Sequence, residues 1–223
     1  MKILVVVSHP DDEVLGAGAT IHKLVQEGHD VAVATMVSKA EARSNLSASL
    51  IDDQKKAFSI LGVSKSYSAN YPNIKTNIVP HLELVQFIER CLEDFDADVV
   101  ITHHPSDVNI DHSITSNAAQ VACRLSQRKN GLSKLKLVLL MEIPSSTDWS
   151  FSCSTSKFNP NYYVEIDKEG LDLKFEALRA YKGIMRSYPH PRSEESISGL
   201  AAFRGSQSGC NYAEAFECVF NKQ

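Results

Sequence analysis

Lys2-Ile3-Leu4-Val5-Val6-Val7-Ser8 runs directly into His9-Pro10-Asp11-Asp12-Glu13, and that junction decides the fold class. The first part is a continuous apolar run bounded by a turn. A strand buried on both faces of a parallel sheet reads this way. Glu13–Glu27 then carries Val14, Leu15, Ile21, Leu24 and Val25 at helical spacing, and Gly28 sits where a helix stops. Strand, polar turn and helix together open a βα unit.

The pattern continues outward. Asp30–Val37 reads as a second strand, and Asn45 to Ile60 as a loop running into a helix closed by Leu61-Gly62-Val63. A short strand follows at Tyr67–Ala69. Pro80 opens a helix over His81–Glu93, with Leu82, Val85, Ile88 and Leu92 on one face. Asp98–Thr102 is a buried strand, Ile110–Gln127 a helix and Leu135–Met141 a strand. Repeated βα units imply right-handed crossovers. The expected fold class is therefore α/β, a Rossmann-like, mostly parallel sheet with helices on both faces.

From about Glu142 the pattern changes. Pro144–Trp149 is loop-like, Tyr162–Ile166 a strand and Lys168–Tyr181 a helix. Tyr188-Pro189-His190-Pro191-Arg192-Ser193 is a loop stiffened by prolines, and Ala213–Phe220 reads as a last strand. The expected organisation is one domain over 1–223. Residues 1–142 form the Rossmann-like core, and 143–223 a smaller α+β extension that shapes the substrate pocket.

Composition bounds the function. Hydrophobic residues make 43% and charged residues 22%, ordinary for a soluble globular chain. A net charge of −4 lacks the basic footprint of a nucleic-acid binder, so no nucleic-acid partner is expected. The first strand is too short and too β-branched for a signal peptide, and no apolar stretch approaches the ~18 residues of a membrane span. Cys91, Cys123, Cys153, Cys210 and Cys218 are odd in number and never form Cys-x-x-Cys. They read as free thiols, mostly core filler, in a reducing compartment. The cytoplasm is the expected location. Self-association into a homo-oligomer stays open.

Two polar clusters fall beyond the carboxyl ends of strands, where ligands of such sheets bind. In His9–Glu13, an imidazole and a carboxylate three residues apart can converge on one cation, and the adjacent carboxylate can face a bound water. The plainer alternative is that Asp11 or Asp12 caps the helix while His9 is a surface residue. The second cluster is His103-His104-Pro105-Ser106-Asp107-Val108-Asn109-Ile110-Asp111-His112. His103 and His104, each taken alone, read better as packed or hydrogen-bonded loop histidines than as ligands. His112, preceded by Asp111 at a helix start, offers a third ligand. Two histidines and one carboxylate with an open position make the ligand set of a catalytic zinc site.

Together, His9-Pro10-Asp11-Asp12-Glu13 and Asp111-His112 resemble the PIG-L (LmbE-like) family of zinc-dependent N-deacetylases. Ala57-x-x-x-Leu61-Gly62-Val63 fits the resemblance. The tail, Gly205-Ser206-Gln207 with Tyr212-Ala213-Glu214-Ala215-Phe216, resembles the sugar-directed members. The resemblance implies a metal-dependent hydrolase that removes an N-acetyl group from an amino sugar or small glycoconjugate. His9, Asp12 and His112 would be the metal ligands and Asp11 the general base. Glu13 and Asp111 would orient the ligands. Zinc is the expected metal, with iron(II) as the alternative.

The chain departs from the family in two places. Many members carry a histidine two residues before the Asp of Asp-His, where this chain has Asn109. An Asn amide can donate to an oxyanion but cannot act as a general acid, which leaves His104 as the local substitute. Many members also carry an arginine three residues before the acidic residue of the second helix. Leu50 stands there, and Arg43 in the preceding loop is the replacement expected to meet substrate.

His190 and Arg192 suit recognition of sugar hydroxyls or a phosphate, or else form a turn with a surface salt bridge. Trp149 could offer a sugar-stacking face, but a lone Trp is more often a core residue. A competing reading takes Gly16-Ala17-Gly18 as part of a nucleotide-binding fingerprint, but Ile21 occupies the place of its third glycine. A third reading is a non-catalytic sugar-binding relative, against which the presence of Asp11 argues.

Overall fold

The structure, a computed structural model, describes residues 1–37, 50–151 and 157–222. Along the chain come β1 (Lys2–Val7), α1 (Asp12–Gln26), β2 (Asp30–Thr35), α2 (Leu50–Leu61), β3 (Lys65–Ser68), α3 (His81–Phe95), β4 (Val99–His103), α4 (Ile110–Ala122) and α5 (Leu125–Arg128). Then follow β5 (Leu137–Met141), β6 (Tyr162–Ile166), α6 (Lys168–Ala180), α7 (Glu194–Ser208) and β7 (Tyr212–Asn221). The strands form one sheet in the order β3-β2-β1-β4-β5-β7-β6. β1 to β5 pair in parallel, while β7 runs antiparallel to both β5 and β6. This is the α/β, mostly parallel sheet expected from the βα repeats.

β1 explains why its sequence lacks alternation. Ile3, Val5 and Val7 face a core shared with α1, α2, α6 and α7. Leu4 and Val6 face a second core shared with α3 and α4. Both sides of the strand are dry, so both parities are apolar.

α1 is broken at Ala17, whose φ of −144° is not helical. A Cβ on Gly16 would stand 2.5 Å from Met141 Sδ, and one on Gly18 2.9 Å from Val14 Cγ1 and 3.2 Å from Lys174 Cγ. These glycines serve close packing inside a helix, not a phosphate-binding turn.

The structure corrects several local expectations. Leu82 is 64% exposed in the first turn of α3, and Leu84 takes its place in the core beside Val85, Ile88 and Leu92. The helix expected over Ile110–Gln127 stops at Ala122, where Arg124 N bonds Val121 O three residues back and tightens the last turn. α7 was not expected at all. Only Ile197, Ala201 and Gly205 are buried along it, a stripe too narrow to read as amphipathic. Its end signals were nonetheless local: Ser193 Oγ accepts from Ser196 N, acidic residues fill the first turn, and Gly209 closes it at φ 81°. Cys91 is buried, but Cys123, Cys210 and Cys218 are only half-buried, so the core-filler reading holds for Cys91 alone of these four free thiols. Cys153 lies outside the described residues. No helix among the described residues is long and apolar enough to cross a membrane.

Candidate metal centre

β1 and β4 are neighbours, yet the chain leaves them toward opposite edges of the sheet. A crevice opens beyond the carboxyl ends of strands at such a switch point. The turn after β1 delivers His9 to Glu13, and the start of α4 delivers Asp111 and His112.

Three donor atoms converge there. His9 Nδ1 lies 3.2 Å from His112 Nε2 and 3.3 Å from Asp12 Oδ2. His112 Nε2 lies 3.2 Å from the same Asp12 oxygen. Bonds of ~2.0–2.1 Å from His or Asp to a tetrahedral cation put donor atoms ~3.3–3.4 Å apart. The triangle fits that size, and the donor set is the two imidazoles and one carboxylate that suit zinc or iron(II).

The electrostatics agree. Burial opposes charge on His9, yet hydrogen bonds to Asp111 and Asp12 outweigh it and lift its pKa to about 9. Burial likewise opposes charge on His112, but Asp12 and Asp107 raise it to about 10. Burial pushes the Asp12 carboxyl upward, but the imidazoles of His112 and His103 hold it well below the usual range. Upward shifts in two buried imidazoles report a negative potential, which favours a cation.

The far nitrogens of both rings are held. His9 Nε2 meets Asp111 Oδ2 at 2.9 Å, and that carboxylate accepts from Ile74 N at 2.7 Å and Thr76 Oγ1 at 2.7 Å. His112 Nδ1 meets Asp107 Oδ2 at 3.0 Å, and the Thr147 hydroxyl donates to the same oxygen at 2.9 Å. Asp107 had no assigned role in the sequence reading. The signal was available, because a ligating histidine usually hands its other nitrogen to a carboxylate. His103, Asp107 and His112 form a second group of possible donors. There the Asp107 carboxylate is already engaged by His112, Thr147, Ser146 and Asn109 N.

Asp11 stands at the N-cap of α1 in left-handed conformation, φ 107°, and its side chain makes no capping bond. Its carboxylate instead takes a hydrogen bond from Arg192 Nη1 at 3.1 Å. Asp12 does not cap either, since its Oδ2 accepts from His9 N at 2.8 Å. The capping alternative therefore fails for both. Burial raises Asp11 to about 6 against the pull of Arg192. Glu13 is buried, with Oε1 taking the Tyr181 hydroxyl and Oε2 taking Asp11 N. Glu13 thus holds the strained Asp11 backbone and touches neither histidine.

His103 and His104 part company. The His103 ring stacks on His112 at 4.0 Å and 14° and accepts from Ser8 N at 2.9 Å. Burial first, and the nearby His112 charge second, lower its pKa to about 3. His104 joins Ser106 Oγ at 2.7 Å and Glu217 Oε2 at 3.2 Å, away from the donor triangle. Asn109 caps α4, its Oδ1 accepting from Asp111 N at 3.0 Å. His190 Nδ1 accepts from Arg192 N, and its ring meets Trp149 edge-on at 5.5 Å. Trp149 is 47% exposed, so it is a rim residue and not core. Glu142 is tied to Arg204 at 2.8 and 2.7 Å. Arg43 lies outside the described residues.

Comparison with known proteins shows what the chain is similar to. The chain is 27% identical to the uncharacterized deacetylase YaiS of Escherichia coli K12, over 81% of this chain and 90% of that one. The N,N'-diacetylchitobiose deacetylase of Pyrococcus horikoshii, solved with an inhibitor, superposes with a TM-score of 0.79 at 24% identity, over 98% of this chain and 83% of that one. GalB of Pseudomonas putida KT2440, a 4-carboxy-2-hydroxymuconate hydratase, superposes with a TM-score of 0.77 at 18% identity, over 100% and 97%. At these identities the two superpositions show the fold, which hosts more than one reaction. The sequence model of the family described as PIG-L, GlcNAc-PI de-N-acetylase, matches residues 4–123, and this chain belongs to that family.

Proposed function

We propose that this protein is a metal-dependent hydrolase that removes an N-acetyl group from an amino sugar or small glycoconjugate, releasing acetate and a free amine. The observation that carries the reading is the donor triangle of His9 Nδ1, Asp12 Oδ2 and His112 Nε2, with mutual distances of 3.2–3.3 Å and the buried Asp11 beside it. Family membership supports de-N-acetylation over other reactions on this fold.

His9, Asp12 and His112 would hold the cation, zinc or iron(II). When bound, it supplies Lewis acidity, polarising the amide carbonyl and lowering the pKa of water toward ~7. Asp107 and Asp111 fix the two imidazoles so that both lone pairs face one point. Asp11 takes the proton of the attacking water and returns it to the leaving amine. His104 and Asn109 are free of that duty, because one is paired with Glu217 and the other caps α4. His190 and the exposed face of Trp149 meet the sugar at the rim. A cavity of about 420 Å³ beside this rim, lined by Pro144, Asp148, Pro189, Pro191 and Leu200, accepts the rest of the substrate. The reaction runs in the cytoplasm.

The test is a screen of N-acetylated sugars that reads primary amine release. Amine should appear with zinc or iron(II), vanish with a chelator and return on re-addition. A protein that binds stoichiometric metal yet releases no amine from any of them overturns the reading.

A further inference from the structure

We propose that Arg192 is a positioning residue that acts through Asp11, and not a residue that binds substrate. The inference rests on the assignment of Asp11 as the base in the proposed reaction.

Three contacts fix the Arg192 side chain and its loop. Nε donates to Ser145 Oγ at 2.8 Å, Nη1 donates to Asp11 Oδ2 at 3.1 Å, and the backbone N donates to His190 Nδ1 at 3.0 Å. The guanidinium thus spans two groups at once, which a planar fork can do and a point charge cannot. Ser145 is held in left-handed conformation at φ 71°. A non-glycine residue keeps that backbone only where its surroundings over-determine it. The turn does so: Thr147 N bonds Ile143 O at 2.9 Å, and Thr147 Oγ1 accepts from Ile143 N at 2.8 Å.

The same turn serves the ligand side of the site. Thr147 and Ser146 hold Asp107, which holds His112. One tight turn after β5 therefore orients a ligand through Asp107 and the base through Arg192. Asp11 needs that help. Among the described residues its carboxylate has one hydrogen-bond partner, Arg192. A free Asp side chain at an N-cap position has a competing destination, the backbone N–H groups of the first helical turn. Arg192 keeps the carboxylate out of that contact.

The test compares Arg192→Ala, Arg192→Lys and Ser145→Ala in the metal-loaded protein. A misplaced catalytic group costs up to about 10²-fold. Arg192→Ala should lose about 10–100-fold in kcat with KM within about threefold, because geometry fails and binding does not. Arg192→Lys and Ser145→Ala should lose less, in the same parameter. Guanidinium added to the buffer should restore part of the Arg192→Ala turnover and none of that of Asp11→Asn. Metal content should stay at one per chain in all of them. A crystal structure of Arg192→Ala should find the Asp11 carboxylate turned away from its present position. A KM raised more than tenfold at unchanged kcat overturns the proposal and returns Arg192 to substrate recognition. If the wild type releases no amine, the functional reading fails separately. The Asp11 orientation in the Arg192→Ala crystal then decides, and an unmoved carboxylate overturns the positioning role.

Discussion

Lys174 Nζ lies 2.6 Å from Glu214 Oε1, and this buried pair closes the break in α1. Where the helix opens at Ala17, Lys174 donates to Leu15 O at 2.8 Å, while Glu214 accepts from Thr20 N at 2.7 Å and Ala19 N at 3.2 Å. The backbone groups freed by the break are thereby paired with two side chains from the last third of the sequence. The first turn of α1 carries Asp12 and Glu13, so the pair also ties the helix that bears them to α6 and β7. Removing one partner leaves a buried charge uncompensated, which costs about 3–5 kcal/mol. Glu214→Gln and Lys174→Met should each show that loss in urea unfolding. The double variant should lose less than the sum. Additive losses would mean that the two residues act independently.

Asp107 orients His112 without facing the triangle. Asp107→Asn should leave the protein folded and weaken metal binding by about 10–100-fold. Competition against a chromophoric chelator measures this directly. An unchanged affinity would show that the ring is held by packing against His103 alone.

Asp11 stands at about 6, raised by burial and restrained by Arg192. In the proposed role Asp11 works only as the carboxylate, so protonation switches it off. Turnover should therefore fall as pH drops through about 6. A bound cation favours the carboxylate and can move this limb only to lower pH. Removing Arg192 takes away a positive neighbour, so the limb of Arg192→Ala should move to higher pH. Asp11→Asn should keep its metal and lose about 10²–10⁴-fold in rate. A pH–rate profile of kcat/KM for the three proteins tests the signs, and a limb that moves to lower pH in Arg192→Ala contradicts them.

Gly205 lies where α7 crosses the start of β7. A Cβ there would stand 2.7 Å from the backbone atoms of Asn211 and Cys210. Backbone cannot rotate away as a side chain can, so Gly205→Ala should destabilise by about 1–3 kcal/mol. Gly199, in the same helix, has nothing within 4 Å of its Cβ position. Gly199→Ala should be neutral or stabilising by up to about 1 kcal/mol. Thermal unfolding of the two variants gives the comparison, and equal effects would refute the close-approach argument.

Burial of Cys91 in the core beneath α3 pushes its thiol up to about 12. In the unfolded chain it ionises near its ordinary pKa of ~8.5. The folded state therefore favours the protonated form, and stability falls as pH rises from ~8.5 toward 12. At neutral pH a thiol reagent should modify Cys91 only after denaturant is added. Rapid reaction in the native protein would contradict this burial.

Local signals carried much of the site. The βα repeats placed His9–Glu13 and Asp111-His112 at strand ends because strand and helix periods are visible within about ten residues. His103 and His104 were not separable in the same way. Adjacent residues at a strand end point to opposite sides, and only the packing of other elements around β4 decides that His103 meets His112 on α4 while His104 meets Glu217 on β7. α7 was hidden because its buried stripe is a single row of three residues, Ile197, Ala201 and Gly205.

By itself, then, the sequence determined the parallel sheet, its order of βα units and the polar residues that gather beyond β1 and β4. All of these follow from short-range hydrophobic spacing. Tertiary structure alone decided which groups orient them: Asp107 held by the turn after β5, Glu13 held by Tyr181, and Asp11 held by Arg192. Those contacts join positions up to 181 residues apart, and no local periodicity encodes a hydrogen bond made by the closing of the chain on itself.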